Sequence, residues 1–303
     1  MKKIVCLIIW FVTSAVFAVD YSVPYLLFGG SPTYFLGSQS FSHDGFAVLE
    51  NDAAPFSGSR FSTGVFHTTL YESLQANSAV IGMKFKDTFI TVSGIRLADT
   101  DIPRTAVSSA ADNAFEIVGA YGYENLQAKL SVSKAYNNHL RLGAGATFYQ
   151  TKLDTYTGSA NDVSVGAYFE GSWIDISGSI HNILQSEVNF SNAGTEKLPR
   201  YGSVALDINP VSWLHLYPRV LYIKSDEKQK QNTLLSLGMK WKPLSYFGFS
   251  GAFYEQPKGL EKEMRMALGT ELNLTGLKLS YAYRTTDYKE ASASHLASFS
   301  FQI

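Results

Sequence analysis

From Phe61 to the C-terminus, apolar residues recur at every second position, in segments close to the ~10 residues that span a membrane as a β-strand. In the last segment, 295–303, one face carries only apolar side chains: Ala297, Phe299, Phe301 and Ile303. The opposite face carries mainly small polar residues. A period of two predicts a strand, because successive side chains point to opposite faces. One apolar and one polar face is typical of a barrel strand between lipid and lumen.

The alternation and the intervening turn residues predict about fourteen strands. Segment 115–135 is interpreted as one long strand, because splitting it at Glu124-Asn125 would make the strand number odd. The predicted strands are 61–70, 76–86, 88–98, 115–135, 139–152, 161–170, 172–182, 200–208, 212–224, 231–241, 245–255, 263–273, 276–285 and 294–303.

Two kinds of connection alternate between these strands. Tight turns such as Lys86-Asp87 and Lys242-Pro243-Leu244 alternate with longer links, among them 99–114, 153–160 and 183–199. Outer-membrane barrels have short periplasmic turns and long outer loops. The sequence therefore predicts an all-β fold, a transmembrane antiparallel β-barrel over residues 61–303, with its C-terminus on the periplasmic side.

Residues 19–60 do not alternate cleanly, and Ala47 to Ala54 are compatible with a short helix. This stretch is rich in aromatic side chains that need burial: Tyr21, Tyr25, Phe28, Tyr34, Phe35, Phe41 and Phe46. An N-terminal hatch or plug folded into the barrel lumen would bury them. We therefore predict that residues 19–60 form such a plug.

The N-terminus predicts export. Lys2 and Lys3 precede a short apolar run that closes with Ala15-Val16-Phe17-Ala18, so residues 1–18 are interpreted as a signal peptide cleaved after Ala18. Cys6, the only cysteine, lies within it, which excludes a disulfide or a cysteine metal site in the mature chain. The net charge of −1 gives no basic excess for nucleic-acid binding. The predicted location is the outer membrane.

Alternation places several charged side chains in the predicted lumen, since a charge facing lipid near the midplane costs roughly 2–4 kcal/mol. One hypothesis is that these cations bind the carboxylate or phosphate head group of an amphipathic ligand. The alternative is a solvated, partly paired lumen that packs against the plug. The candidate ligand-binding residues are Lys240, Arg265, Lys278, Arg284, Arg219 and Arg141.

No motif for catalysis stands out in the sequence. The six histidines are scattered over different elements, and no nucleophile-elbow, zinc-protease or phosphate-cradling motif is present. We therefore predict no enzymatic activity, no metal and no cofactor.

A resemblance to a known family rests on local motifs in the C-terminal half. They are Ser177-Gly178-Ser179-Ile180-His181-Asn182-Ile183, Leu198-Pro199, the stretch from Ser236 to Leu244, the stretch from Gly276 to Tyr283, and His295. With these motifs the chain resembles the PorV/PorQ family of FadL-type outer-membrane barrels. The resemblance implies a fourteen-stranded barrel with an N-terminal hatch. Glu50-Asn51-Asp52-Ala53-Ala54 lacks the Asn-Pro-Ala element usual in such hatches.

These observations lead to three functional hypotheses. The first is passage or binding of a hydrophobic or amphipathic small molecule. The second is an accessory barrel of a protein-secretion system that shuttles a secreted protein, and the third is a structural outer-membrane protein. The expected partners are the lipid bilayer, the barrel-assembly machinery through the C-terminal strand, and a hydrophobic ligand or a secreted protein.

Overall fold

The computed structural model of the 303-residue chain describes residues 31–54, 59–70, 74–107, 115–191, 194–224, 231–258, 261–285 and 294–303. Within these ranges no helix has the length and apolar character needed to cross a membrane. Residues 1–18, the predicted signal peptide, lie outside the described ranges.

Sixteen antiparallel strands make up most of this described part of the chain. They are β1 (Phe61–Leu70), β2 (Leu74–Phe85), β3 (Thr88–Val107), β4 (Phe115–Ala135), β5 (Leu140–Leu153), β6 (Tyr156–Phe169), β7 (Ile174–His181), β8 (Glu187–Phe190), β9 (Gly194–Lys197), β10 (Arg200–Val211), β11 (Leu214–Lys224), β12 (Gln231–Leu244), β13 (Phe247–Lys258), β14 (Glu261–Leu274), β15 (Leu277–Arg284) and β16 (Ser294–Gln302).

Fourteen of these strands form a closed ring in which each strand pairs with two neighbours. The hairpin β8–β9 pairs with β6 and is not part of the ring. The ring closes where β1 pairs with β16, from Ser62 opposite Gln302 to Thr69 opposite His295. Closure is required because unpaired backbone groups are costly in hydrocarbon. The predicted barrel and its strand number are confirmed, and the last strand forms the closing seam.

The predicted faces are confirmed as well. On β16, Phe299 and Phe301 are 44 % and 37 % exposed, whereas Ser300 between them is 2 % exposed. The same alternation holds on β5, where Leu142 is exposed and Tyr149 is buried. The long segment predicted as one strand is β4, which remains paired with β3 through two register irregularities.

The predicted sorting of connections into short and long is wrong in places. The predicted long link 153–160 is a two-residue turn, because β5 continues to Leu153 and β6 begins at Tyr156, with Asp154 at a φ of 55°. Similarly, β3 extends to Val107 into the predicted link 99–114, and 183–199 contains β8 and β9. Strand pairing continues beyond the apolar belt. There, apolar and polar residues no longer alternate in the sequence, so the pattern does not predict the strands.

Residues 31–54, called the luminal segment from here on, contain three short helices: α1 (Pro32–Phe35), a 3-10 helix (Gln39–Phe41) and α2 (Ala47–Glu50). Apart from Ser42 and His43, every residue of the segment is buried. The helix expected up to Ala54 ends at Glu50, and Asn51 is extended with a φ of −142°. The boundaries predicted for the plug, 19–60, stay a prediction.

An arginine introduced on the outer face of the barrel tests whether this face contacts lipid. Leu268 lies midway along the outward row of β14 and Leu274 lies at its end, and the two side chains are 50 % and 48 % exposed. We expect Leu268→Arg to lower the free energy of unfolding by roughly 2–4 kcal/mol and Leu274→Arg by at most about 1 kcal/mol. Urea titration of the barrel in lipid vesicles measures both. Equal losses would contradict this orientation.

Candidate functional site: the luminal segment and the inner wall

Each of three acidic residues of the luminal segment forms an ion pair with a cation on the inner wall. The cations come from β15, β11 and β4, which are well separated around the ring. The pairs are Asp44–Lys278 at 3.0 Å, Glu50–Arg219 at 3.0 Å and Asp52–Lys129 at 2.8 Å between nitrogen and oxygen. The luminal segment is therefore held from several directions.

The Asp52–Lys129 pair is the most deeply buried of the three, with side chains 0 % and 1 % exposed. The Asp52 carboxylate also accepts hydrogen bonds from Ser131 at 2.5 Å and Ser164 at 2.6 Å, and Lys129 donates to the Val48 carbonyl at 3.1 Å. Burial alone would raise the pKa of Asp52, but Lys129 holds that pKa below its usual value. The carboxylate is thus ionised and fully partnered.

Beside this pair, the backbone and side chain of the luminal segment lie directly on the wall. The Asn51 amide donates to the Ala167 carbonyl at 2.9 Å and to Ser177 Oγ at 2.7 Å. A Cβ at Gly166 would lie 2.0 Å from Asn51 Oδ1, and one at Gly143 would lie 2.4 Å from the Asp52 backbone. Glycine inside a strand commonly marks such a close approach.

The opposite side of the barrel makes equally close contacts. A Cβ at Gly238 on β12 would lie 2.1 Å from the Leu36 carbonyl oxygen. Ser62 on β1 accepts a hydrogen bond from the Gly45 amide at 2.9 Å, and Gln302 on β16 donates to the His43 carbonyl at 2.6 Å. The luminal segment therefore spans the lumen from β5 and β6 to β12 and the closing seam.

The six predicted ligand-binding cations all point inward, but the structure does not gather them into one site. Lys240 and Lys278 meet at Glu271, and Arg265 pairs with Glu263 at 2.5 Å. Three have contacts elsewhere: Arg219 with Glu50, Arg284 over the Phe35 ring at 5.0 Å, and Arg141 over the Phe89 ring at 4.7 Å. Their role in ligand binding stays a prediction.

The residues that sequence reasoning missed are the acids Asp44, Glu50 and Asp52. In the sequence, Glu50 and Asp52 stand out only as part of the stretch that lacks the usual hatch tripeptide. One feature of the sequence could have indicated them: acidic residues occur in a segment otherwise rich in aromatic and small side chains, whereas the predicted inner wall carries an excess of cations. Pairing each acid with its cation required the strand register.

The inner wall has two zones along the barrel axis. Near the short-turn end it is polar and charged, as with Thr91 and Ser93 on β3. Toward the other end apolar side chains such as Ile95 and Leu97 on the same strand predominate, beside the inward Arg265 and Arg284. The apolar zone joins Tyr34 and Phe35 of the luminal segment in one buried cluster, which includes Phe66, Tyr149, Tyr201, Leu221, Ile223, Leu234, Tyr254 and Leu296. A water-filled pore would be polar throughout.

The described residues contain no group of three or more His, Cys, Asp or Glu side chains arranged to hold a metal ion. His181, deep in the wall, forms a hydrogen bond with the Glu50 carbonyl at 2.9 Å and stacks on Tyr201. This histidine positions the luminal segment.

A closed antiparallel ring with an apolar outer face defines the chain as an outer-membrane β-barrel. Among solved structures it is similar to the Ralstonia pickettii toluene transporter TbuX, with a TM-score of 0.59, 8 % identity, and coverage of 86 % of this chain and 94 % of that chain. It is also similar to the Pseudomonas putida toluene transporter TodX, with a TM-score of 0.58, 9 % identity and coverage of 95 % and 96 %. At these identities the likeness concerns the fold alone.

The sequence also matches a family model over residues 115–301, more than half of the chain. The model describes the type IX secretion system membrane protein PorP/SprF, and the chain belongs to this family. No curated protein matches the sequence. The predicted FadL-type fold is confirmed, whereas the affiliation with PorV/PorQ in particular stays a prediction.

The buried pair can be tested against an exposed pair of the same barrel. Asp52→Asn should destabilise attachment of the luminal segment by about 3–5 kcal/mol, because it leaves Lys129 buried without its counter-charge. Glu124→Gln, which removes the exposed Arg96–Glu124 pair at 2.6 Å, should cost no more than about 1 kcal/mol. Hydrogen exchange of residues 44–52 measures the opening of the segment. Similar protection in both variants would show that the Asp52–Lys129 pair does not hold it.

Proposed function

We propose that this barrel is an accessory outer-membrane component of a type IX secretion system, and that it remains closed rather than forming a pore. The proposal extends to this chain the secretion-system role that names its family. The observation that carries it is the luminal segment, which is tied to strands on all sides of the barrel. A barrel closed in this way offers surfaces and mouths for protein contacts.

The contacts of the luminal cations favour the accessory function over transport of a ligand. All six candidate cations have contacts within the protein. Lys278 and Arg219 pair with the luminal segment, and Lys240 and Arg265 pair with carboxylates on the wall. Arg284 and Arg141 lie over the rings of Phe35 and Phe89. A ligand head group would have to displace these buried partners, and breaking a buried ion pair is costly. The geometry favours a structural use of these charges.

Several earlier predictions extend the proposal. Residues 1–18 would direct export, residues 19–60 would form the complete plug, and the strand ending at Ile303 would be recognised by the barrel-assembly machinery. A shuttling role like that of PorV/PorQ proteins, with a secreted protein as the partner, is part of the same proposal.

A second candidate function, binding of a hydrophobic small molecule, is favoured by the apolar zone of the inner wall. The toluene transporters TbuX and TodX have the same fold. In this chain the zone includes Leu221, Leu234 and Tyr254, which lie beside Tyr34 and Phe35. A ligand bound there would enter from the end opposite the short turns and would stop at the luminal segment.

Deletion of the gene in the source bacterium separates the two functions. We expect at least one type IX substrate to disappear from the medium or cell surface and to accumulate in the periplasm, with recovery on complementation. Uptake of radiolabelled toluene or a fatty acid should not change. Normal secretion in the deletion strain would contradict the accessory role, and lost uptake with normal secretion would establish the second candidate instead.

A further inference from the structure

Two inward cations, one of them the candidate Arg141, lack a carboxylate partner among the described residues. Lys84 on β2 and Arg141 on β5 form no ion pair with any residue that the structure describes, whereas Lys129, Arg219, Lys240, Arg265 and Lys278 each have one. Arg141 Nη1 is buried and has no hydrogen-bond acceptor. A buried guanidinium nitrogen without an acceptor is unfavourable, so an incoming anion would gain a strong partner.

The two cations flank one rigid aromatic side chain. Lys84 Nζ lies 5.3 Å and the Arg141 guanidinium carbon 4.7 Å from the ring centroid of Phe89, which is 2 % exposed. Cation–π contacts of this kind hold a cation in place without neutralising its charge. As whole residues Lys84 and Arg141 are only partly buried, although Arg141 Nη1 itself is covered.

This cluster, defined by Lys84, Phe89 and Arg141, lies at the short-turn end of the barrel. Lys84 is two residues from the turn at Lys86-Asp87, and Arg141 is the second residue of β5. Short turns mark the periplasmic side. The acids Asp87 and Glu170 lie in nearby turns and moderate the positive potential, but neither pairs with Arg141 in the described part of the chain.

The cluster is closed on its inner side by the luminal segment. Two residues above Arg141 on the same strand, a Cβ at Gly143 would lie 2.4 Å from the Asp52 backbone. An anion that arrives from the periplasm therefore meets the cations and can go no further. This arrangement suits a group that docks while attached to something outside the lumen, and not a solute in transit.

We propose that the Lys84–Phe89–Arg141 cluster is a docking site for an acidic segment of a periplasmic protein. The carboxylate of an Asp or Glu side chain would accept hydrogen bonds from the Arg141 fork and from Lys84. The inference rests on the proposed accessory function, because a secreted protein or another secretion component reaches this mouth from the periplasm. It adds to that function the periplasmic mouth as the place of contact, the residues that bind, and the acidic character of the partner.

Binding of a fluorescein-labelled hexaglutamate peptide to the purified full-length barrel tests the site. The double variant Lys84→Gln/Arg141→Gln should weaken binding about tenfold or more, and wild-type affinity should fall with added salt. The matched control Arg96→Gln/Lys152→Gln removes the same charge from exposed, outward positions near the opposite end and should bind like wild type. Heat-modified mobility on gels verifies folding of every variant.

Three results would overturn the docking site: equal peptide binding by the two double variants, equal binding of hexaglutamine by the wild type, or displacement of hexaglutamate by acetate or inorganic phosphate at equal carboxylate or phosphate concentration. The last would show a site for small oxyanions only. If the peptide-binding experiment overturns the docking site but gene deletion still abolishes secretion, the accessory function remains supported. Normal secretion after deletion would remove that function, whatever the peptide binds.

Discussion

The constraint on which the structure depends is that the bilayer offers no hydrogen bonds to the backbone. Every strand in the hydrocarbon must therefore pair on both sides, which requires the ring to close between β1 and β16. Closure gives each strand one face toward lipid and one toward the lumen, and charges follow the second face. The ionic groups of the chain are thereby concentrated around an interior, where the luminal segment supplies counter-charges from Asp44, Glu50 and Asp52.

These buried pairs specify position more than they add stability. Desolvation opposes the Coulomb attraction of a buried pair, so its net contribution is small, but loss of either partner is costly. Three such pairs on separate strands, together with glycines at Gly143, Gly166 and Gly238, allow the luminal segment only one placement. The polar zone of the wall thus fixes the segment, and the apolar zone beyond it packs against Tyr34 and Phe35.

Much of this fold could be predicted from the sequence, since the period of two is a local property of each strand and the number of strands follows from it. Alternation identified the inward side of Lys240, Arg284 and the other cations. It could not identify their partners, because Lys129 and Asp52 are far apart in the chain and meet only through strand register. It also failed beyond the apolar belt, at the Asp154 turn and the β8–β9 hairpin, where no lipid face imposes alternation.

Electrical conductance in a planar lipid bilayer shows whether the luminal segment closes the barrel. We expect no steady conductance for the wild-type barrel and stable, ion-conducting channels when residues 31–54 are deleted. Fourteen-stranded walls without the segment would enclose a continuous lumen. Open-channel conductance in the wild type, equal to that of the deletion variant, would show that the luminal segment does not close the barrel.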